Sequence, residues 1–388
     1  MGVQGLLPAL KPITDRCHLD TLRGQTVAVD AYSWLHKATY ASSASLFHSL
    51  PCTGHIDYCM GRVRGLLHHD IRVILVFDGG HLPGKAGREL ERREAREKAR
   101  MQAHQLLALG KLKEASAFVN KAIDVTPEMA KQWIDRVKQM NDARIEVIVA
   151  PYEADAQMAY LERIGRVSAV LSEDSDLLVF GVRRLCCKLD PRTGYFETVR
   201  GGWEGAVREL FGGLSADPTC AALDKLRQLA ALAGCDYVTQ GVAGVGLKTA
   251  QRYLMKYGTM SRVVQVWRAE GRSIPDSFLE DCYKAVLCFA HQIVYCPEKQ
   301  ECVHCTPIDE HSESIILGEL SWLCASPGDL GFLGAVLEKD VIIGIANGQL
   351  HPETKQPFAV IQCEEKENTR VPVVNSTSAM HVKKRAIA

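Results

Sequence analysis

The 388-residue sequence lacks three features that would point directly to a partner: a net charge, a long apolar run, and a repeated or low-complexity segment. Its 46 basic residues balance 46 acidic ones, so a charged partner must be recognised by local patches rather than by the field of the whole protein. No apolar run approaches the roughly 18 residues of a membrane-spanning helix, and we expect no membrane association. A composition that is 47% hydrophobic is sufficient for one large domain or two smaller ones.

The sequence also shows no secretory signal peptide, although it contains 14 cysteines. Disulfide-dense domains are short and secreted, so in a chain of this length we expect reduced thiols in a cytosolic or nuclear compartment. Cys302 and Cys305 have the spacing of half a zinc site and Cys296 lies nearby, but a second cysteine pair is missing, which disfavours zinc. The basic triplet at 383–385 is typical both of a nuclear-import signal and of a solvated tail. Of the two compartments we predict the nucleus.

Four short segments rich in Val, Ile and Leu have the composition of strands that are covered on both faces. Helical segments lie between them, for example at 55–69 and 153–164. This alternation predicts an α/β fold in which a central, mostly parallel sheet carries helices on both faces. The predicted strands are 26–30, 72–77, 145–149 and 167–172.

A long insertion without strand pattern, from about 83 to 141, interrupts the alternation after the second strand. Its last helix has Thr126 as N-cap and Pro127 at the first helical position. The predicted helices of the insertion are 87–108, 111–122 and 127–140.

The chain becomes helical from about residue 220, with a return to strand predicted at 290–308 and helix plus loop at 326–348. After roughly 350 the sequence is polar and contains proline, so we expect a disordered tail. We therefore divide the chain into a first α/β segment with the start of the insertion, the rest of the insertion, a second α/β segment, a helical C-terminal region and a tail: 1–100, 101–140, 141–235, 236–350 and 351–388.

Each of the four predicted strands ends in acidic residues. Ligands of open parallel sheets bind outside the carboxyl ends of the strands, so these acids should converge there. Without cations they would repel one another and raise their pKa values, and the hard, oxygen-seeking ions Mg²⁺ or Mn²⁺ are the natural remedy. The acids are Asp30, Asp78, Glu153 with Asp155, and Glu173, Asp174 and Asp176. Asp236 is a further acid, at the end of an apolar helix.

A single strand-end aspartate is more often the N-cap of the next helix. Four such strands, two of them with doublets, favour a site for two-metal hydrolysis, in which cations about 3.5–4 Å apart activate water and stabilise the leaving oxygen. Glu153 and Asp155 can share that site only if Glu153 stands at the helix start. An aspartyl-nucleophile phosphatase is disfavoured, because Asp30 is followed by Ala31 and Tyr32 rather than by a second aspartate two residues on.

The start of the insertion carries seven basic and four acidic residues between 85 and 100. Arg88, Arg92 and Arg96 are spaced to form a stripe on one helix face, and Lys85 precedes them on nearly the same side. A solvated helix with Glu–Arg pairs is the usual meaning of such a run. Next to the carboxylates, we favour a stripe that holds a phosphate against the metals.

A glycine-rich turn joins two helices at 234–250. Gly244 and Gly246 would let backbone amides approach a phosphate at the start of the second helix, and Lys248 adds a cation. The carbonyls of such a turn can also hold a monovalent ion. A plain helix-capping turn remains the alternative.

The segments MGVQGLLPALK, VAVDAYSWLHK, ILVFDGGHLPGK, VAPYEADAQMAYL, SEDSDLLVFG and GCDY followed by GVGLKTA resemble the flap-endonuclease superfamily of 5′ structure-specific nucleases. The resemblance extends from Met1 to about Pro357. It implies a PIN-like fold with a helical arch and a helix-two-turn-helix DNA-binding region. The acids that it implies as metal ligands are Asp30, Asp78, Glu153, Asp155, Asp174, Asp176 and Asp236.

The same resemblance implies roles for other side chains. Lys85 and Arg92 would position the phosphate, with Arg93 and Arg96 of the arch also on the DNA. Tyr32 and His36 would stack or wedge at the frayed 5′ end. The remaining DNA contacts that it implies are Gly2, Gly244, Gly246 and Lys248.

The implied activity is 5′-to-3′ exonuclease cleavage of double-stranded DNA together with 5′-flap endonuclease cleavage, using two Mg²⁺ ions for which Mn²⁺ can substitute, and K⁺ at the glycine turn. The implied substrates carry a nick, gap, 5′ recess or 5′ flap, and mismatch-repair proteins are implied as partners. A flap endonuclease of replication, a 5′-acting RNase and an inactive DNA-binding module stay open as alternatives.

Overall fold

A seven-stranded mixed sheet forms the centre of the computed structural model, which describes residues 2–50, 52–212, 220–308 and 330–359. The strand order is β1-β7-β6-β5-β2-β3-β4. Strands β2 to β6 are joined by parallel pairs, and only the pairings of β7 with β1 and β6 are antiparallel. The strands are β1 Thr14–His18, β2 Thr26–Asp30, β3 Arg72–Phe77, β4 Ile145–Val149, β5 Ala169–Leu171, β6 Leu185–Cys187 and β7 Tyr195–Val199; a separate hairpin contains β8 Ile293–Cys296 and β9 Glu301–His304.

Helices surround the sheet and extend the chain beyond it. They are α1 Leu6–Ala9, α2 Ala31–Phe47, α3 Gly54–His68, α4 Ala86–Ala108, α5 Leu112–Ala122, α6 Pro127–Gln139, α7 Ala154–Arg163, α8 Asp176–Phe180, α9 Gly202–Phe211, α10 Cys220–Ala233, α11 Leu247–Tyr257, α12 Met260–Ala269, α13 Phe278–His291 and α14 Lys339–Ala346. These bounds differ from the predicted ones by one or two residues for the helices of the nuclease fold and the insertion.

The central strands are apolar on both faces because helices cover both. Val27 and Val29 of β2 face one hydrophobic core with α2, α3 and α6, whereas Ala28 between them faces a second core with α7, α8 and α10. The same alternation occurs in β3, where Leu75 faces the first core and Ile74 the second. The predicted α/β fold with helices on both faces is confirmed.

The insertion forms a helical layer with a small core of its own. Ala99 and Ala103 of α4 pack with Val119 and Ala122 of α5, and Phe47 at the end of α2 closes this cluster. Small residues on both helices allow them to approach closely. Helix α4 runs without a break through residue 100, where the sequence analysis placed a segment boundary.

The C-terminal prediction needs one correction. Residues 351–357, assigned to the tail, belong to the compact unit Met1–Pro357. Leu350 forms a bridge with Pro357, and Glu353 lies 3.0 Å from the His81 imidazole, so polar composition here reflects an ordered surface turn. Residues 360–388, including the basic triplet at 383–385, lie outside the described residues, as does the start of the segment predicted at 326–348.

The predicted return to strand near residue 300 is confirmed by the β8–β9 hairpin. Cys296 and Cys302 lie on its two strands and Cys305 follows it; all three are free thiols, and they do not form a metal-ligand set within the described part of the chain.

In the described ranges no helix is long and apolar enough to cross a membrane.

Leu75→Ala should lower the free energy of unfolding by about 2–5 kcal/mol, because Leu75 is fully buried under the helices of one sheet face. Denaturant titration followed by circular dichroism measures this. Leu109→Ala is the matched control: its side chain is 71% exposed, and we expect a change within about 0.5 kcal/mol. Equal effects of the two substitutions would contradict the assignment of the core.

Candidate active site

The parallel strands bring their acidic ends to one edge of the sheet. In the register of the ladder, Asp30 lies beside Val76 of β3, and Phe77 lies beside Val149 of β4, so the residues that follow β3 and β4 are neighbours of Asp30. Six of the seven predicted ligands line one cavity of about 970 Å³: Asp30, Asp78, Glu153, Asp155, Asp174 and Asp236.

The seventh acid, Asp176, does not line this cavity but is buried directly behind it. Its Oδ1 accepts a hydrogen bond from the Val3 amide at 2.7 Å, and its own amide donates to Asp174 Oδ1 at 3.0 Å. The strand-end residue Glu173 instead pairs with Lys37 at 2.7 Å. Only one residue of this strand end, Asp174, therefore faces the cavity.

Helix starts fix the acids in place. Asp30 is the N-cap of α2, where its Oδ1 accepts from the Ser33 amide at 2.9 Å, while the Ser172 hydroxyl donates to Oδ2 at 2.8 Å. Asp30 is thus an N-cap and also lines the cavity, and its role as a metal ligand stays a prediction. Glu153 occupies the N-cap position of α7 with extended backbone, the condition under which it can share a site with Asp155. Asp78 Oδ1 accepts from the Ala154 amide at 2.7 Å.

Two of the acids are neutralised by cations at the start of the insertion, residues 83–141, which we call the arch. Lys85 contacts Glu153 Oε1 and lies 3.3 Å from Asp236 Oδ2, and Arg92 lies 2.5 Å from the same Asp236 oxygen. Arg88 approaches Asp236 Oδ1 at 3.4 Å. Burial opposes the charges of Glu153 and Asp236, but these cations outweigh it and lower the pKa of both carboxyls.

The other five acids form no ion pair among the described residues. Burial raises the pKa of Asp78 to about 7, and the nearby Asp30 carboxylate adds to the effect. Burial likewise raises the pKa of Asp30 and Asp174, and for Asp155 and Asp176 the Asp174 charge acts in the same direction. A cluster of buried carboxylates with raised pKa values needs divalent cations to stay ionised.

The donor set fits Mg²⁺ or Mn²⁺, because it consists of carboxylate oxygens. Among the described residues, no three of these carboxylates each place an oxygen within 4.8 Å of the other two. An ion held here would therefore complete its shell with water or phosphate oxygens, as Mg²⁺ usually does.

Two residues of the site were missed by sequence reasoning. The Tyr237 hydroxyl donates to Glu153 Oε2, and the buried Gln292 donates to the same oxygen at 2.8 Å. Together with Lys85 they hold both Glu153 oxygens. Tyr237 adjoins the predicted Asp236, which is a signal that could have been used; Gln292 stands between α13 and β8 with no motif around it.

Four further residues that the resemblance implies as DNA contacts line the same cavity. They are Tyr32 and His36, one turn apart on α2, and Arg93 and Arg96 of the arch. Arg96 is paired with Asp124 at 3.1 Å, whereas the Arg93 side chain is exposed. The stripe predicted for the arch thus faces the acids.

Gly2 lies against the acids as well. A Cβ at this position would come within 2.2 Å of Asp174 Oδ1 and 2.4 Å of Ser175 Oγ, and its φ of +87° is one that glycine favours. A side chain here would displace the acids, so the segment at the N-terminus is packed into the site.

The predicted glycine turn lies in a different place. It joins α10 to α11, with Gly244 at φ +72° and Gly246 at the N-cap of α11. Gly246 and the exposed Lys248 line a second cavity of about 880 Å³, together with Gly5 and Lys11 from the N-terminal segment. The turn and the acid cavity are two separate concave surfaces with no lining residue in common.

Comparison with known proteins defines the class. Residues 1–99 match the XPG N-terminal domain and residues 144–236 match the XPG I-region. The first match ends within α4, the second begins after the insertion, and together they contain all seven acids. In fold, the chain is similar to the catalytic core of Rad2 in complex with DNA substrate (23% identity, TM-score 0.50, covering 74% of this chain and 80% of that one). It is also similar to GEN1 in complex with product DNA and Mg²⁺ (20% identity, TM-score 0.50, covering 77% and 66%).

Relatives with higher sequence identity indicate the family within this class. The chain is 38% identical over 358 residues to exonuclease 1 of Oryza sativa subsp. japonica, covering 92% of this chain and 40% of that protein. It is 36% identical to exodeoxyribonuclease 1 of Schizosaccharomyces pombe, covering 93% and 59%. It is 35% identical to the DNA damage-inducible protein DIN7 of Saccharomyces cerevisiae, covering 91% and 82%.

The chain therefore belongs to the family that contains exonuclease 1 and DIN7. It spans roughly two fifths to three fifths of the length of the exonuclease 1 relatives given above.

Tyr237→Phe should weaken the binding of Mn²⁺ in the acid cavity by about 10-fold, because partners that orient a ligating carboxylate typically contribute 10–100-fold to metal affinity. Isothermal titration calorimetry measures this affinity. Tyr283→Phe is the control, since that residue is similarly buried but its hydroxyl contacts Ser261 at 2.8 Å. Unchanged Mn²⁺ affinity of Tyr237→Phe would show that the hydroxyl does not position Glu153.

Asp78→Asn should raise the melting temperature in EDTA by about 2–4 °C, the shift that roughly 1 kcal/mol produces in a mid-sized domain. The amide keeps the acceptor for the Ala154 N–H but removes a buried charge that has no cationic partner. Calorimetry in EDTA and in Mg²⁺ measures the change, and the stabilising effect of Mg²⁺ should shrink in the variant. Asp276→Asn, on an exposed turn, should leave both temperatures unchanged.

Proposed function

We propose that this protein is a metal-dependent nuclease that degrades double-stranded DNA from a 5′ end in the 5′-to-3′ direction and also cleaves 5′ flaps. The observation that carries the proposal is the arrangement of the cavity: four carboxylates without a cationic partner, those of Asp30, Asp78, Asp155 and Asp174, line one space with Lys85 and Arg92. Such a space suits a phosphodiester, whose charge needs cations on every side. The names of its relatives agree with this activity.

The carboxylates of Asp30, Asp78, Asp155 and Asp174 would hold two Mg²⁺ ions, with Glu153, Asp176 and Asp236 supporting them, and Mn²⁺ would substitute. When bound, the ions would supply activated water and charge neutralisation at the leaving oxygen.

Lys85 and Arg92 of the arch exchange partners when the substrate binds. In the structure described above they neutralise Glu153 and Asp236. A phosphate in the cavity competes for the same donors, and the planar Arg92 guanidinium offers it two parallel hydrogen bonds. Substrate binding and the arch position are therefore coupled through these ion pairs.

Two ring side chains of α2, those of Tyr32 and His36, act on the bases rather than on the phosphate. Tyr32 and His36 line the cavity next to Asp30 and offer ring faces to a terminal nucleotide. The exposed Arg93 contacts the backbone of the displaced strand, and Arg96 does so after its release from Asp124.

The glycine turn anchors the duplex at a distance from the cut. The first amides of the 11-residue helix α11 and the Lys248 ammonium bind backbone phosphate without reading bases. Carbonyls of the same turn hold K⁺. Because the two concave surfaces are separate, substrates with a nick, gap, 5′ recess or 5′ flap can fill both.

We further propose a nuclear role in DNA repair, in mismatch repair, end resection and recombination, with mismatch-repair proteins as partners. The similarity to a DNA damage-inducible protein supports this role.

The test is a panel of end-labelled substrates incubated with protein and Mg²⁺: nicked, recessed, flapped and blunt DNA duplexes, and an RNA duplex with a 5′ recess. We expect short products that carry 5′ phosphates from nicked and recessed DNA, and cleavage at the junction of flapped DNA. Cleavage of RNA alone would favour a 5′-acting RNase, cleavage of flaps alone a flap endonuclease, and binding without cleavage an inactive module.

Asp174→Ala should abolish cleavage of the nicked duplex and leave DNA affinity within a few-fold, because Asp174 lies in the acid cavity, away from the glycine turn. Gel-based cleavage and fluorescence anisotropy in Ca²⁺ measure the two properties. Asp276→Ala is the control and should cleave at the normal rate. Full activity of Asp174→Ala would rule out the proposed metal chemistry.

A further inference from the structure

A second group of potential metal ligands lies near the N-terminal end of β3, whereas the acids follow the C-terminal ends of the strands. His18 ends β1, Asp20 belongs to a short 3-10 helix at Leu19–Leu22, and His69 caps the end of α3. Asp20 bridges the two imidazoles: its Oδ2 lies 3.0 Å from His18 Nδ1, and its Oδ1 lies 2.9 Å from His69 Nδ1. We refer to these three residues as the His-Asp-His cluster.

This cluster is independent of the proposed active site. His69 comes just before β3, at the N-terminal end of the parallel strands, whereas the acids follow the C-terminal ends. None of its three members lines the acid cavity. Among the described residues it is also the one set of three His, Cys, Asp or Glu ligand atoms that lie within 4.8 Å of one another.

The surroundings of His18 prepare one imidazole for a metal. Its Nε2 lies 3.1 Å from the Thr193 carbonyl, which can only accept, so Nε2 carries a proton and Nδ1, which faces Asp20, is the nitrogen that a metal can take. The Tyr195 ring, cross-strand from His18, packs edge-on at 5.0 Å and restrains the imidazole. A backbone carbonyl that fixes the tautomer of a histidine is the usual companion of a metal-ligating imidazole.

We propose that the His-Asp-His cluster binds a transition-metal ion, Zn²⁺, through His18 Nδ1, one Asp20 oxygen and His69 Nδ1, with a fourth position open to water. Two imidazoles and a carboxylate form a donor set typical of Zn²⁺ and too rich in nitrogen for Mg²⁺. Ligand atoms 2.9–3.0 Å apart in pairs need only small movements to surround one ion.

Metal binding replaces contacts that the cluster makes without it. Any proton that Nδ1 of His69 or of His18 shares with Asp20 is released to solvent, as ligation requires a free lone pair on each nitrogen. The long 3.3 Å bond from the Asp20 amide to His18 Nδ1 is given up. Arg23, which is 65% exposed and 3.8 Å from Asp20, turns into solvent.

The test compares zinc content of the full chain and of single-residue variants. Each protein is stripped with a chelator, supplied with ZnSO₄, and dialysed against a weak competing chelator before elemental analysis. Because the acid cavity and the thiols can also take zinc, only the difference between proteins is used. His69→Ala and Asp20→Asn should each retain one zinc ion per chain fewer than the unmodified protein.

His68→Ala is the matched control, since His68 is the exposed neighbour of His69 on α3, with its ring 5.7 Å away, and is not a member of the cluster. It should retain the full zinc content. Cu²⁺ in place of Zn²⁺ should give an electron paramagnetic resonance spectrum with coupling to two imidazole nitrogens, and this coupling should be reduced in His69→Ala.

Equal zinc content in the unmodified protein, His69→Ala and Asp20→Asn would overturn the proposal and leave the cluster as a cap of the 3-10 helix. The same zinc loss in His68→Ala as in His69→Ala would also overturn it, because binding would then be nonspecific. Asp20 is 57% exposed, so Asp20→Asn serves as the folded variant if His69→Ala is unstable.

Discussion

Mutual repulsion of carboxylates at one sheet edge is the constraint on which the rest of this structure depends. The parallel register places the ends of β2, β3, β4 and β5 side by side, and the acids that follow them have little solvent to screen their charges. Each acid must then be neutralised by protonation, by a basic side chain or by a bound ion. The structure contains the first two solutions in a clear division, with Glu153 and Asp236 paired to cations and the other acids shifted towards the protonated form.

This division explains how the insertion is held against the acidic ends of the strands. The two buried residues of helix α4, Ala99 and Ala103, pack with α5 and Phe47. Lys85 and Arg92 connect the start of the helix to Glu153 and Asp236. The contacts that neutralise the acids therefore also hold the arch over the cavity. Under the proposed function, a phosphate bound to Arg92 would change both at once and would link substrate binding to the position of the arch.

Much of the fold could be predicted because local composition determines it. Buried parallel strands are apolar along their whole length, and the helix that starts at Pro127 carries its own N-cap signal in Thr126. The convergence of the strand-end acids followed from topology alone. Contacts across long sequence distances could not be predicted in this way: nothing near Gln292 indicates that its amide reaches Glu153, 139 residues earlier. Asp176 was predicted to face the site with Asp174, but the start of α8 turns it towards Val3.

A crystal structure with a nicked DNA duplex and Mn²⁺ tests the central claim most directly, since anomalous scattering locates the ions independently of the surrounding density. We expect peaks among the carboxylates of Asp30, Asp78, Asp155 and Asp174, next to the phosphate at the 5′ side of the nick. DNA bound in the cavity with no ion among these acids, or with ions held elsewhere, would contradict the account.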